Sequence, residues 1–509
     1  MIPGKDLYHL VQSLTMSEQR YFKLMLRQRI GKKGKNYVML FDAIAAHNEY
    51  DEQRIRKELK GQIKNFSATK LQLYHLLLGS LRLYHARTSG ENILYEYLQN
   101  IEILFNRGLY RECRSMVKKA QKTAHLYENR LVGLELNNWE VRLMREMKYE
   151  HTTKKHLENL HRNEIGLLDQ YRTISICRYN ANKFFWMHLH NAYVRSKQSA
   201  KKLRASLDFS LLHKKEIPAI ARIILYFTVS GYFISIGNHK KCYRYNKQLI
   251  ALLESVAYPT IEIQRYYANA LINMCITLRE LKRFTELNQT LQKLSNLSVK
   301  NENLSIAISS FFYFMKGDIL TYHGEFKKAA TLMNEVIEYI NKNKTKIDNA
   351  TRQVLNYLIA YSYFGDAQFS LSIEWTNRIM NQMKTDRRFD VFLAARLLHI
   401  LSHIEKGHYD VAAYLGKSYD REFLKNEKEY RIEKALIEFI RKNLLQSSLP
   451  FPFNKRNIRD AFKVFKPIAE KILNDPFEQK LLEYIDLHSW LTSKIENKPF
   501  AEIVRRKNS

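Results

Sequence analysis

Glycine and proline are scarce in this chain, 16 and 8 among 509 residues. That leaves too little turn chemistry for an all-β fold and too little for Pro/Gly-rich disordered linkers. Cysteine is scarcer still. Cys113, Cys177, Cys242 and Cys275 are the only four, far apart and without a C-x-x-C pair. This excludes a dense disulfide framework and a clustered zinc site, and fits a reducing compartment. Long apolar runs are missing as well. The longest, Ile223 to Gly237, is about fifteen residues with Arg222 at its edge, short of the roughly 20 that a spanning helix needs. The opening "MIPGKDLYHLVQSL" has neither the apolar core nor the small-residue cleavage site of a signal peptide. The expectation is a cytoplasmic protein with no membrane insertion.

Acid is the remaining shortage: 51 acidic residues against 83 Lys and Arg leave a net charge of +32. Such a balance favours anionic partners such as nucleic acid, ribosome or acidic protein. The cations are scattered rather than gathered in one tail, which serves solubility equally well. What the chain does have is apolar and aromatic material: 45% hydrophobic residues, with 32 Tyr and 26 Phe. At this length it holds several domains or one extended repeat array.

The first 88 residues read as a compact helical domain. Thr15 and Glu18 in "TMSEQRYFKLML" form a capping box. Asp51 caps "DEQRIRKELKG", and "ATKLQLYHLLLGSLRLYHAR" is apolar nearly all round. The stretch is a candidate helix-turn-helix. Its third helix, with Leu71, Leu73, Tyr74, Leu76, Leu77 and Leu78, has the composition of a packed helix rather than a base-reading one. Arg54, Arg56 and Lys57 of the second are placed to lie on phosphates.

From about residue 89 a pattern recurs: "GLYREC" at Gly108, "GNHKKC" at Gly237, "GEFKKA" at Gly324 and "GHYDVA" at Gly407. Weaker versions stand at Met147, Asn191, Lys282 and Gly365, so the starts are spaced by about 39 to 46 residues. A fixed period of that size, with two helix-length apolar segments per unit, predicts an all-α helical-hairpin solenoid of about eight hairpins over 89–425. The glycine lets the chain reverse between helices. The following aromatic seals the turn, and the small residue three further on lets the helices approach. Residues 426–509 lose the period. "EYRIEKALIEFIRKNLL", "KRNIRDAFKVFKPIAEKIL" and "DPFEQKLLEYIDLHSWLTSKI" predict a C-terminal helical cap, with Asp475-Pro476 starting the last helix. The tail "NKPFAEIVRRKNS" is expected to dock or to fray.

This organisation resembles the tetratricopeptide (TPR) superfamily. Around Gly324, Gly317 falls on that family's small first-helix position, Tyr313 on its large aromatic one, Leu320 on a second knob and Ala329 on the small second-helix position. Cys275, Leu271 and Leu278 fit the same register one unit earlier. The period exceeds the family's usual 34 or so, the closing proline is absent, and Leu397, Ile400, Leu401 and Ile404 before Gly407 sit one place out of register. The chain as a whole also resembles large bacterial proteins of this build, a likeness that implies no function. The TPR likeness implies a superhelix whose first helices line a concave groove holding a protein or peptide. At the Gly324 unit Phe311, Phe314, Asp318, Thr321 and Tyr322 would face that groove.

No enzyme signature stands out. "GKKGKN" lacks the G-x-x-x-x-G-K-[ST] phosphate loop. His399, His403 and His408 include one i, i+4 pair but no H-E-x-x-H, so they read as ordinary polar-face or turn residues. No catalytic, cofactor-binding or metal-binding residue is assigned. The reading is a non-enzymatic scaffold. The alternative is a nucleic-acid or ribosome-associated binder, or a DNA-binding regulator, using the basic surface and the N-terminal domain. Its candidate anion contacts are Arg27, Arg29, Lys32, Lys33 and Lys35 in the basic loop. To these are added Lys240, Lys241, Lys327 and Lys328, cations near helix N-termini where the macrodipole prefers acids by about 0.3–1 kcal/mol each. The partner's identity and the oligomeric state have no mark in the sequence.

Overall fold

The computed structural model describes residues 4–30, 34–47, 49–59, 61–86, 90–150, 152–190, 197–214, 216–256, 260–299, 301–381, 388–415, 431–443, 455–475 and 478–508. Among them every regular element is a helix and there is no strand. The chain divides into two compact units, Met1–Thr173 and Ile174–Ser509.

The first unit opens with α1 (Gly4–Gln12), α2 (Met16–Ile30), α3 (Lys35–Ala45), α4 (Glu52–Glu58) and α5 (Phe66–His85). They close on a core that includes Phe22, Leu26, Leu40, Phe41, Leu73 and Leu77. The sequence signals sit where the capping rules put them. The Thr15 N–H donates to Glu18 Oε2 at 2.7 Å and the Glu18 N–H to Thr15 Oγ1 at 3.3 Å, satisfying two otherwise unpaired donors reciprocally. Asp51 Oδ1 accepts from the Arg54 N–H at 3.0 Å. Then α6 (Gly90–Asn106), α7 (Tyr110–Leu126) and α8 (Arg130–Glu146) pack in sequence around Leu94, Ile101, Val117 and Leu136.

The division between the units falls inside α9 (Lys154–His190), an unbroken helix of 37 residues. A hairpin is expected between the starts at 147 and 191, and none forms there. The segment has no proline, and its one glycine, Gly166, sits in mid-helix, so nothing stops the helix. The expected turn at Asn191 lies outside the described residues.

In the second unit α10 (Lys197–Ala205) and α11 (Ala219–Ser235) lead into four pairs of helices. The pairs begin with α12 (His239–Glu254) and α13 (Ile261–Glu280), followed by α14 (Phe284–Ser295) and α15 (Glu302–Tyr322). After them come α16 (Phe326–Lys342), α17 (Asn349–Gly365), α18 (Phe369–Met380) and α19 (Phe389–Glu405). Each packs on the helix before and after it, and α11, α13, α15, α17 and α19 also touch one another in that order. The all-apolar run proposed as the nearest thing to a membrane segment is α11, buried on most of its surface. No helix among the described residues is long and apolar enough to cross a membrane.

The turns explain the glycine motif. Gly237, Gly324 and Gly407 have φ of +72°, +70° and +75°, and Lys282 and Ala367 take the same left-handed conformation at +58° and +60°. At each, the next residue's N–H reaches back five residues, as Glu325 to the Leu320 carbonyl at 2.9 Å and Gln368 to the Tyr363 carbonyl at 2.9 Å. That is the Schellman closure of a helix end. In the Gly365 unit the left-handed residue is therefore Ala367. Gly365 ends α17, and a Cβ there would fall 1.9 Å from the Phe326 ring, so its missing side chain is space that Phe326 fills.

Gly317 is the point of closest approach around α15: a Cβ there would lie 2.6 Å from Leu358 of α17 and 3.2 Å from Met333 of α16. Ala329 of α16 is fully buried. Ala329→Leu is expected to overpack the core at a cost of about 1–3 kcal/mol. A thermal melt checks this, and a variant that melts with the parent removes the register assigned at Gly324.

The C-terminal helices are α20 (Arg431–Asn443), α21 (Lys455–Leu473), α22 (Leu487–Glu496) and α23 (Phe500–Asn508). The long helix expected from Asp475-Pro476 is instead a 3-10 stretch, Glu478–Glu483, and then α22, which Asp486 caps by accepting from the Ser489 N–H at 3.1 Å. Pro476 lies outside the described residues. Glu478 is fully buried and accepts the Arg431 and Ile432 N–H groups at 2.8 and 3.2 Å, so it caps α20 from a distant part of the chain. Leu436, Phe439, Phe462, Phe465, Leu487 and Trp490 share one continuous core with α17 and α19.

Candidate functional site

The left-handed residues give a ruler for comparing units. Phe314, Asp318, Thr321 and Tyr322 stand ten, six, three and two residues before Gly324, and Phe311 thirteen before it. Phe311 and Phe314 are half-buried against the core beneath them, with ring centroids 6.2 Å apart. Asp318 takes both nitrogens of the Arg279 fork from the neighbouring α13, at 2.9 and 3.3 Å. Burial opposes the charge on Arg279, but the Asp318 carboxylate more than offsets it and its pKa is raised. Thr321 is buried and donates to the Asp318 carbonyl at 3.0 Å. The Tyr322 ring lies between Phe284, 5.1 Å away, and the Arg279 guanidinium, also 5.1 Å away.

Counting the same distances back from Ala367 gives Tyr357, Tyr361, Phe364 and Gly365 on α17, and two back from Gly407 gives Glu405 on α19. Apart from Gly365, which Phe326 covers, these positions meet the chain's own residues 484–508. The Tyr357 hydroxyl donates to the Tyr484 carbonyl at 3.1 Å, and the Asp486 N–H donates to the Tyr361 hydroxyl at 3.3 Å. Burial raises both tyrosine pKa values, so the hydroxyls stay protonated. The Tyr484 hydroxyl donates to Asp390 at the start of α19. Glu405 accepts the Trp490 indole N–H at 2.7 Å and pairs with Lys494 at 2.5 Å. Phe500 lies 5.3 to 6.4 Å, ring to ring, from Phe326, Tyr361 and Phe364. Asn508 donates to the Tyr322 carbonyl at 2.7 Å. The tail left open in the sequence is thus docked, against the end of α15, the Gly324 turn, Phe326 of α16 and the rings of α17.

The corresponding positions on α13 are Asn269, Ile272, Ile276, Arg279 and Glu280, counted from Lys282. Asn269 is exposed, and Ile272 and Ile276 are half-buried.

The anion-contact candidates are divided between the two units. Arg27 and Lys35 are exposed, Lys32 and Lys33 lie outside the described residues, and so does the Arg29 side chain. Lys240, Lys241, Lys327 and Lys328 are exposed on α12 and α16. Lys328 pairs with Glu325 at 3.0 Å, and Lys241 sits 5.5 Å over the Phe233 ring. In the N-terminal domain Arg56 pairs with Glu52 and lies 4.3 Å over Phe66, while Leu73 and Leu77 of α5 are buried and Leu71 is exposed. His399 is buried, bonded through Nδ1 to Thr376 at 2.8 Å, and burial followed by the neighbouring His403 lowers its pKa to about 4. The four cysteines are free and buried.

Sequence reasoning missed the residues that actually seat a helix: Tyr357, Tyr361, Phe364 and Glu405. Their signal was the register itself, read from Ala367 rather than from Gly365. No protein-family model matches this chain, and comparison with curated proteins yields no match.

Proposed function

We propose that the second unit is a TPR-like solenoid and that the protein is a non-enzymatic scaffold whose first-helix face holds an amphipathic helix of a partner protein. One observation carries this reading: the chain's own residues 484–508 lie against α15, α17 and α19, through apolar rings flanked by hydrogen bonds. Helix-in-groove recognition uses this combination, with apolar anchors at helical spacing and polar groups at the rim. On the same face, Ile272 and Ile276 of α13 and Phe311 and Phe314 of α15 remain half-buried and continue the row beyond the chain's own segment. The row is apolar at its centre and ends in the Arg279–Asp318 pair, which suits an apolar helix face bordered by charge.

A photo-crosslinking residue at Ile276 tests the reading in the full chain, with capture repeated after nuclease treatment. A discrete polypeptide adduct that survives nuclease, and that is lost when Phe311→Glu is added, is the expected result. An adduct only with nucleic acid, or none at Ile276 while exposed control positions crosslink, removes the scaffold reading.

A further inference from the structure

The outer face of α7 carries charge that the rest of the fold does not answer. Arg111, Lys118 and Lys122 are exposed on one side of the helix with Lys119 and His125 beside them, and half-buried Arg114 continues the row where it lines a small cavity with Glu140 and Glu150. At 1.5 Å per residue the line from Arg111 to Lys122 is about 17 Å long. Like charges at this spacing destabilise a helix, and Arg111 in the first turn also opposes the macrodipole.

Elsewhere the chain neutralises such cations. Lys293 pairs with Glu254 at 2.7 Å, Arg378 with Glu374 at 2.7 Å, and Lys328 with Glu325 at 3.0 Å. Carboxylates are available around α7 too, yet they are engaged otherwise. Glu140 accepts from Gln121 at 2.8 Å and faces His156 at 3.1 Å, and Glu146 accepts from the Tyr110 hydroxyl at 3.4 Å. Glu112 lies about 100° round the helix from Arg111. Among the described residues no hydrogen bond, ion pair or ring contact involves the side chains of Arg111, Arg114, Lys118, Lys119 or Lys122. Lys240, Arg244 and Lys247 repeat the pattern on α12, again without an observed partner.

We propose that the α7 face is a contact strip for the phosphate backbone of double-helical nucleic acid, bound without regard to sequence. This inference is independent of the scaffold reading, which concerns the other unit. The chemistry selects the partner. A protein partner needs buried aromatic or apolar anchors, and the line of cations has none between Arg111 and Lys122. A single strand needs aromatic platforms for its bases, and no Phe, Tyr or Trp lies between Arg111 and Leu126. What is left is a row of Lys and Arg with Ser115, groups that position a protein on phosphates and read no base.

The test uses the full chain and fluorescence anisotropy with a labelled duplex of about 20 base pairs, as DNA and as RNA, across a salt series. Both duplexes are expected to bind, with log affinity falling linearly as log salt rises. Arg111→Gln/Lys118→Gln/Lys122→Gln should shallow that slope by about two to three units for both, at roughly 0.9 per duplex phosphate released. Far-UV circular dichroism should be unchanged, and Arg111→Lys should keep the slope. If the triple variant loses helix, the exposed single changes Lys118→Gln and Lys122→Gln should each remove about one unit. An unchanged slope overturns the proposal. So does a single strand that binds more tightly than either duplex, or polyglutamate that displaces the duplex at equal charge, the last making the partner an acidic protein.

Discussion

Glu433→Ala is expected to destabilise the second unit by about 3–5 kcal/mol, among the largest effects of any single change in this chain. Glu433 of α20 and Arg396 of α19 pair at 2.5 Å with only 2% and 1% of their side chains exposed. Removing the carboxylate withdraws an ion-pair partner from a guanidinium buried in the core that holds Ala395, Leu397, Ile400 and Leu436, where burial makes its charge costly. Breaking such a pair costs much more than the pair contributes, because forming it already involved desolvating both ions. Arg396→Met/Glu433→Leu should therefore recover most of the loss and can exceed the parent. Urea denaturation followed by tryptophan fluorescence reads this out, since Trp186, Trp375 and Trp490 all lie in the second unit. A single variant as stable as the parent, or a double variant as weak as the single, would show that the pair is not isolated from solvent.

That pair also marks where the sequence stops being legible. Arg396 is the one Lys or Arg in the apolar run "VFLAARLLHILSHI", but Glu433 is 37 residues away and no local pattern connects them. Features written in local chemistry were readable. The Thr15–Glu18 box, the Asp51 cap and the left-handed glycines follow from unsatisfied amides and from φ, which neighbouring residues determine. Lys282 and Ala367 were harder, because residues with a Cβ hold the left-handed conformation there at a cost of about 1–2 kcal/mol each. Packing around them, rather than their own preference, keeps those turns. The unbroken α9 escaped because periodicity suggested a turn where no breaker residue stands. The candidate groove was half legible. Counting from Gly324 picks out positions on α15, but the helix that docks at the end of α15, on the Tyr322 and Gly324 carbonyls, comes from more than 150 residues downstream and is joined to it by tertiary contacts alone.

Those contacts converge on Gly324, so Gly324→Ala and Gly407→Ala should differ although the two backbones are alike. Both glycines are left-handed, at +70° and +75°, and alanine at either costs about 1–2 kcal/mol in backbone strain. At Gly407 nothing lies within 4 Å of where the Cβ would be, so the cost ends there. At Gly324 the new methyl would fall 2.7 Å from the Ala501 carbonyl oxygen, 2.7 Å from the Arg505 nitrogen and 3.0 Å from its Cα. These are backbone atoms of α23, which can yield only if the helix moves as a body. Overpacking of that kind adds about 1–3 kcal/mol. Moving α23 also withdraws the Arg505 bond to the Gly324 carbonyl, the Asn508 bond to the Tyr322 carbonyl and the seat of Phe500. Hydrogen exchange should show protection of residues 500–508 lost in Gly324→Ala and retained in Gly407→Ala, with α15 and α17 still protected in both. Deleting residues 499–509 should reproduce the Gly324→Ala pattern on α15 and α17. Protection at 500–508 retained equally in the two alanine variants would mean that α23 yields to the methyl without leaving its seat, and that the missing side chain at Gly324 serves only the turn.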